Sequence, residues 1–477
     1  MPVIHLFACK SATHRTMAAF VLGVCLSSCT PVGPDYHPPQ ASLPASWSEA
    51  QNQESKTEPT ELKKWWRAFN DPVLDQLIER ALKDNQDLAI AQARLQQARA
   101  QRIRVASAAG PAVSAGGLAE ADRDSRVLNN ITGGRSDTWR AGVDVSWELD
   151  IFGGTRRAVE SAEAEIGAVA ADREALQVSL LAEIADDYVA LRVAQMRLAI
   201  ARDKVVNLRK SEQLAERARQ RGLGSSAEVL QARAEREAAE AEPAQREAEI
   251  ARYSHAIGVL AGGFPGDWKR VLTDSSPGLP VVPVLPQLMP SEVIRQRPDL
   301  RADERRLASA MAKIGVAEAM RYPHFSIPLG IGTTASLLHD LFSGASLAWS
   351  AGMQSSQMLY DGGRVRAEVK AAEAEKEAAR LTWERDVRFA LRDVEDSLTL
   401  LNSERQRTGL LTAAVTDSQQ ALSRTMRLYR QGLSAYLPVL VAQRSANQAL
   451  DALAVSQGEE IRSAILLYKA LGAGWQD

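Results

Sequence analysis

The stretch WRAGVDVSWELDIFGG, residues 139–154, carries the first decision about the fold. Trp139, Ala141, Val143, Val145, Trp147 and Leu149 alternate with Arg140, Gly142, Asp144, Ser146, Glu148 and Asp150. A period of two puts the first set on one face of a strand and the second on the other. The strand is expected over 138–150, which is long enough to cross a bilayer when tilted, since ~9–11 residues suffice. Trp139 and Trp147 stand near the two ends of the apolar face, where a membrane barrel carries its aromatic girdles. Gly153-Gly154 breaks the strand, and from Arg156 a helical pattern runs without proline until Pro243. Taken alone, the stretch also fits an ordinary half-buried sheet strand. The surrounding chain decides between the two.

On the C-terminal side, Ile166, Val169, Leu176, Leu180, Ile184, Tyr188, Leu191, Leu198 and Val205 recur at helical spacing and form one narrow apolar stripe on a charged rod. At about 1.5 Å per residue the run from Arg156 to Gln220 measures roughly 100 Å, longer than a compact domain uses. A turn at 221–226 breaks it, and a second helix returns from Ala227 to Leu260, making an antiparallel hairpin. On the N-terminal side, Asp71-Pro72 has the chemistry of a helix cap and first position. Helices follow to Ala108, then Pro111, a weak strand over 111–119 and a polar loop over 120–137.

The second half copies this order. Asp87-Leu88 matches Asp299-Leu300, Gly153-Gly154 matches Gly362-Gly363, Arg157-Ala158 matches Arg366-Ala367, and Gly222-Leu223 matches Gly432-Leu433, all at an offset of 209 to 212 residues. A fixed offset held at separate landmarks is the mark of an internal repeat. The second half is expected to carry strands over 323–333 and 346–359, with Pro328 where no ladder N–H is needed. A helix follows from Arg364 with the stripe Trp383, Val387, Leu391, Val394, Leu398 and Leu401, then a turn at 431–436. Pro265, Pro277, Pro280, Pro283, Pro286 and Pro290 mark a linker between the halves. The expected divisions are a signal segment, 1–28; a tether, 29–60; a first repeat, 61–262; the linker, 263–291; and a second repeat, 292–477.

The N-terminus reads as an address. Lys10, His14 and Arg15 precede an apolar run from Met17 to Leu26 that is too short to span a bilayer as a helix. It ends in Leu26-Ser27-Ser28-Cys29, which resembles a bacterial lipobox. Cleavage there would leave Cys29 as the only cysteine and its thiol as the site of acylation. A plain signal peptide cut nearby is the alternative. Removing 1–28 takes away Lys10 and Arg15 and no acid, so the mature chain is more acidic than the net charge of −2 of the whole. Nothing in that balance suggests a nucleic-acid partner. His37, His255, His324 and His339 are scattered without metal-ligand spacing, and GGFPGDWKR lacks the order of a phosphate loop. No catalytic constellation and no cofactor site is expected.

Four strands per chain cannot close a barrel in lipid, because open sheet edges leave backbone groups unpaired and spanning barrels begin at about eight strands. If the strands span, the protein is an oligomer. Two copies would give a filled eight-stranded barrel, three a twelve-stranded one wide enough for water. Narrow-striped hairpins must likewise pack against neighbours as coiled coils.

The motifs CTPVGPDY (29–36), SWELDIFGG (146–154), MLYDGG (358–363), YRQGLSAYLPVLVAQRS (429–445) and LYKALGAGW (467–475) together resemble the TolC-type outer-membrane channels, and among them the lipidated OprM-like (NodT-type) efflux lipoproteins. The resemblance covers nearly all of the mature chain. It implies an α+β membrane protein: a homotrimer whose twelve-stranded outer-membrane β-barrel continues into a twelve-helix periplasmic α-barrel, each chain holding two repeats. It further implies a lipid-anchored outer-membrane location, with Cys29 carrying N-acyl and S-diacylglycerol chains such as palmitate. The implied partners are a periplasmic adaptor and an inner-membrane pump of the resistance-nodulation-division class.

The resemblance also assigns roles. The turns Gly222, Leu223, Gly224 and Ser225, and Gly432, Leu433 and Ser434, fall where relatives dock the adaptor, although the glycines equally suit helix ends with positive φ. Tyr429 falls at a gating tyrosine, a position that core packing also explains. Where relatives carry gate aspartates this chain has Pro438 and Val441, and Glu228 is left as a source of charge near the tip. The expected function is a passive, non-enzymatic duct for drugs or other small toxic molecules. A type I protein-secretion duct and a non-channel periplasmic coiled-coil lipoprotein are the alternatives.

Overall fold

The computed structural model describes residues 30–41, 43–48, 62–123, 135–274, 278–283 and 289–475. Cys29, the signal segment, residues 49–61, the hairpin loop 124–134 and parts of the linker lie outside these. The elements are α1 (Pro72–Asp84), α2 (Gln86–Ala106), β1 (Ala112–Arg123), β2 (Arg135–Leu149), α3 (Gly154–Gln220), α4 (Ser226–Glu240), α5 (Glu242–Leu260), α6 (Lys269–Asp274), α7 (Pro290–Gln296), α8 (Pro298–Ala319), β3 (His324–Ala335), β4 (Leu347–Ala351), β5 (Gln354–Ser356), α9 (Arg364–Arg430) and α10 (Tyr436–Ala470). Both long helices, α3 and α9, have 67 residues. The chain forms two compact units, and each draws on both halves of the sequence: 1–39, 95–169 and 303–383 in the first; 40–94, 170–302 and 384–477 in the second.

The first unit holds an antiparallel sheet in the order β1-β2-β3-β4, with β5 also paired to β3. The register joins Val113 to Val145 and Leu329 to Ala351, with Val145 opposite Leu329. It also joins Ala115 to Val143, Val143 to Ile331 and Ile331 to Trp349. Directly opposed residues share a face. Trp139, Trp147, Phe325 and Trp349 therefore all lie on this apolar face, which Trp349, Ile331 and Val113 leave exposed in the single chain. The other face carries Asp144, Gly330 and Ser350, and a row of small residues, Gly116, Gly142, Gly332 and Ala348.

Three boundaries differ from the sequence reading. The loop expected over 120–137 is shorter, because Glu120–Arg123 and Arg135–Asp137 are strand and pair in register. Ladder pairing continues through these polar residues because alternate positions, Ala119 and Ala121, keep the period of two. The strand expected over 346–359 is broken and ends at Ser356. The break lies opposite Pro328, which has no N–H to donate, while its carbonyl still accepts from the Gly352 N–H at 3.1 Å. The return helix expected over 227–260 is two helices that meet at Ala241, next to Pro243 near the start of α5.

The second unit is helical and packs around an aromatic centre. Trp65 stacks on Tyr468 with centroids 5.1 Å apart, and Phe69, Leu74, Leu77, Leu181, Ile184, Tyr188 and Ile465 are buried around them. Asp71 caps α1 as expected, its Oδ1 accepting from the N–H groups of Val73 and Leu74 at 2.9 and 3.2 Å. Its other oxygen accepts from the buried Tyr188 hydroxyl at 2.7 Å, which ties the cap to α3. The stripe on α9 is inward at Val387, Val394 and Leu401 in this unit, and at Trp383 in the first.

Candidate functional site

The two strand-to-helix junctions explain two of the motifs. Asp150 accepts from the N–H groups of Thr155 and Arg156 at 3.1 and 2.9 Å, capping α3. Asp361 accepts from Gly363 and Val365, both at 2.8 Å, at the start of α9. These backbone donors hold the Asp361 carboxyl below its usual range. The aspartates of SWELDIFGG and MLYDGG thus turn strand into helix.

Both helical turns of the second unit end their long helix with the same backbone device. Gly222 and Gly432 have φ of +74°. The Leu223 N–H donates to the Ala218 carbonyl and the Gly222 N–H to Arg219, as do Leu433 to Leu428 and Gly432 to Tyr429, at 2.9–3.0 Å. This double bond pattern with a left-handed glycine is a Schellman cap. It thrusts Leu223 and Leu433 into solvent, 76 and 71 % exposed. Ser225 and Glu228 form a reciprocal capping box at 3.2 Å, so the half-buried Glu228 carboxylate is engaged by the Ser225 N–H. Gly224 packs beside that carboxylate. Ser434 donates to the Ala435 carbonyl at 3.2 Å, and α10 has no side-chain cap.

Tyr429 packs against a buried cluster of Ala215, Val229, Ala232, Tyr436, Val439 and Leu440 that joins both hairpins. Its ring lies 5.7 Å from that of Tyr436. Both hydroxyls are buried, with no hydrogen-bond partner among the described residues. Burial pushes the Tyr436 hydroxyl up to about 12 and raises Tyr429, with Glu228 adding to the second. Pro438 and Val441 line an apolar groove of about 480 Å³ between α9 and α10, with Leu437, Ala442, Ser418 and Ala421. Among the described residues, no carboxylate lines it.

Polar links stitch α3 to α10. Arg197 pairs with Asp451 at 2.7 and 2.8 Å, Arg462 with Asp186 at 2.6 and 2.9 Å, and the Gln443 amide donates to Ser211 at 2.6 Å. Glu235 of α4 pairs with Arg444. Burial, with Asp186 and Glu183 nearby, lifts the Asp187 carboxyl to about 6. The sequence reading missed Tyr436 and Gln443, although Tyr436, Val439, Leu440 and Gln443 sit at helical spacing on one face.

The profile of the outer membrane efflux protein family matches residues 77–263 and 289–473. The chain belongs to this family. Nodulation protein T of Rhizobium leguminosarum is 30% identical over 463 residues, 96% of this chain and 93% of that one. The probable efflux pump outer membrane protein TtgC of Pseudomonas putida is 29% identical over 475 residues, 98 and 96% of the two chains. Among solved structures, the outer-membrane channel OprN superposes with a TM-score of 0.85 at 36% identity, covering 94% of this chain and all of that one. CusC gives 0.82 at 26%, covering 93% of this chain. This efflux protein thus has the fold of the TolC-like channels, in a family of channels and not of enzymes.

Proposed function

We propose that this outer membrane efflux protein is the passive outer-membrane duct of a tripartite pump that exports drugs or other small toxic molecules from the periplasm. One observation carries the reading. A sheet with one apolar and one polar face, open at both edges, passes directly into two 67-residue helices. In lipid such edges must be closed by further copies. Three copies would give twelve strands and twelve long helical segments, a barrel continued by a tube, with each chain supplying two repeats. The relatives' names support the pump: one acts as a probable efflux pump component and another, CusC of Escherichia coli, in cation efflux. A proton-driven inner-membrane pump of the resistance-nodulation-division class and a periplasmic adaptor complete the assembly, with the adaptor meeting Leu223 and Leu433. Cys29 carries the lipid anchor. With Glu228 held in its capping box and Pro438 and Val441 in the apolar groove, the closed end selects weakly for cations.

A photo-reactive residue at Leu433, irradiated in living cells, tests the reading. Capture of an adaptor that co-purifies with a proton-driven pump supports it. Capture of an ABC exporter's adaptor moves the function to protein secretion, and capture of neither from an intact trimer removes the docking role of the turn. A chain without heat-modifiable gel mobility in detergent would be the periplasmic scaffold instead of a barrel. Reversal potentials in a salt gradient test the gate. Strong cation selectivity abolished by Glu228→Gln would show that the charge ring has moved to the first turn.

A further inference from the structure

The motif CTPVGPDY is a sequence signature that the duct does not account for, and the described part of it is not a loose tether. The Val32 N–H donates to the Phe152 carbonyl at 3.0 Å. Arg157, in the first turn of α3, is only 3 % exposed. Its Nε donates to the Val32 carbonyl at 3.1 Å, and its Nη2 to the Gly33 carbonyl at 3.1 Å and to Asp35 at 2.8 Å. Only its Nη1, on Glu160 at 2.8 Å, turns to its own helix. A buried guanidinium is costly unless its donors are paired, and here the N-terminal segment supplies most of the pairing. Beyond it, the Tyr36 hydroxyl donates to Glu304 at 2.9 Å under the Arg305 guanidinium.

Three glycines from three parts of the chain make the seat fit. Gly33 has φ of +93°, and a Cβ there would stand 2.5 Å from the Gly315 Cα. A Cβ on Gly315 would stand 2.7 Å from the Val32 carbonyl, and one on Gly153 would stand 2.4 Å from Pro31. The second half provides the internal control. Arg366, the repeat-mate of Arg157, is exposed, and a Cβ on Gly362 or Gly363 would meet nothing within 4 Å. The same helix start without an N-terminal segment leaves its arginine in the open.

We propose that Arg157, Gly153 and Gly315 form a seat that locks residues 31–36 and so fixes where the acyl anchor enters the bilayer, an inference that rests on the reading of Cys29 as acylated. Val32 is three residue steps from Cys29, a reach of at most ~10 Å. The Phe152 whose carbonyl holds Val32 stacks on Tyr322, rings 4.6 Å apart, at the end of β2 and β3. Aromatic side chains favour the boundary between lipid and water. The seat therefore sets the lipid at the level where the sheet ends, and its partner is the periplasmic leaflet surface of the outer membrane.

The test uses the full-length, acylated channel in liposomes, with a nitroxide on His37→Cys, an exposed position immediately after the seated segment. The label should be immobile in the otherwise natural chain. Arg157→Gln should abolish the immobile spectral component and broaden the label's depth distribution against a lipid-bound relaxation agent, Arg157→Lys should restore part of it, and Arg366→Gln should change neither. Gly33→Ala alters only the segment itself and should act like Arg157→Gln even if the latter folds poorly. A label that stays immobile in both variants, or that is freed equally by Arg366→Gln, overturns the seat. An N-terminal peptide whose mass lacks acyl chains overturns the membrane half of the proposal, while the label still judges the seat.

Discussion

The two hairpin turns share a backbone and differ in most of the side chains around it. Both end in the same glycine cap, with φ of +74° and the same pair of hydrogen bonds. Around the first, Glu216, Arg219, Ser225 and Glu228 make surface pairs and a capping box. At the matching places of the second, 210 residues on, stand Met426, Tyr429, Ala435 and Pro438, of which Met426 and Tyr429 pack into the shared cluster. Leu230 is 61 % exposed, while its mate Leu440 is fully buried. A helical hairpin can be closed by polar caps or by a buried apolar wedge, and this chain uses one of each. The first turn is held locally. The second is held by contact with the other hairpin, so it is the one whose movement must disturb both.

The largest effect expected from this contrast is at Leu440. Leu440→Ala should cost about 3 kcal/mol, in the range for a fully buried leucine, whereas Leu230→Ala should stay within about 0.5 kcal/mol. Native-state hydrogen exchange across 215–232 and 425–443 reads both, and equal losses would break the comparison. Tyr436→Phe removes a buried hydroxyl that has no partner among the described residues and should gain about 1 kcal/mol in the same measurement. A loss instead would place a partner for that hydroxyl in the assembled protein and make the second turn an interface.

Ser225→Ala should cost the first turn about 1 kcal/mol through loss of its cap, and Ser434→Ala should cost the second almost nothing. Protection of the amides at 223–229 checks the first and of those at 433–439 the second. The smallest effect is electrostatic. The hydrogen bond from Arg219 holds the Glu216 carboxyl at about 2, below its ordinary 4.5. A carboxyl held down in the folded state stabilises fully above its unfolded value and loses that contribution as pH falls through the folded one. Relative protection at 218–223 should therefore fall between pH 4.5 and pH 2 while that at 428–433, which lacks the pair, should not.

Periodicity carried most of the architecture. The alternation at 139–149, the stripes on the two long helices, the glycine turns and the copied order of elements are consequences of local hydrogen bonding and of where successive side chains point. These are properties of residues a few places apart, and they can be read without knowing what lies across the fold. The errors came where a local signal was overruled. Polar Glu120–Arg123 became strand because β2 supplied a ladder, and the last strand broke because Pro328 on its neighbour had no N–H to offer.

What only the tertiary structure decided is which of two similar residues is buried. Arg157 and Arg366 follow the same glycine pair, and Leu230 and Leu440 follow the same valine, yet in each pair one is enclosed and the other open. Burial is a contact between segments far apart in the chain: Val32 and Gly315 around Arg157, and the first hairpin against the second around Leu440. The family and the order of strands and long helices were legible in the sequence because their pattern recurs along it. The seat for the N-terminal segment and the wedge at the second turn were not, because each exists once and depends on distant surfaces meeting.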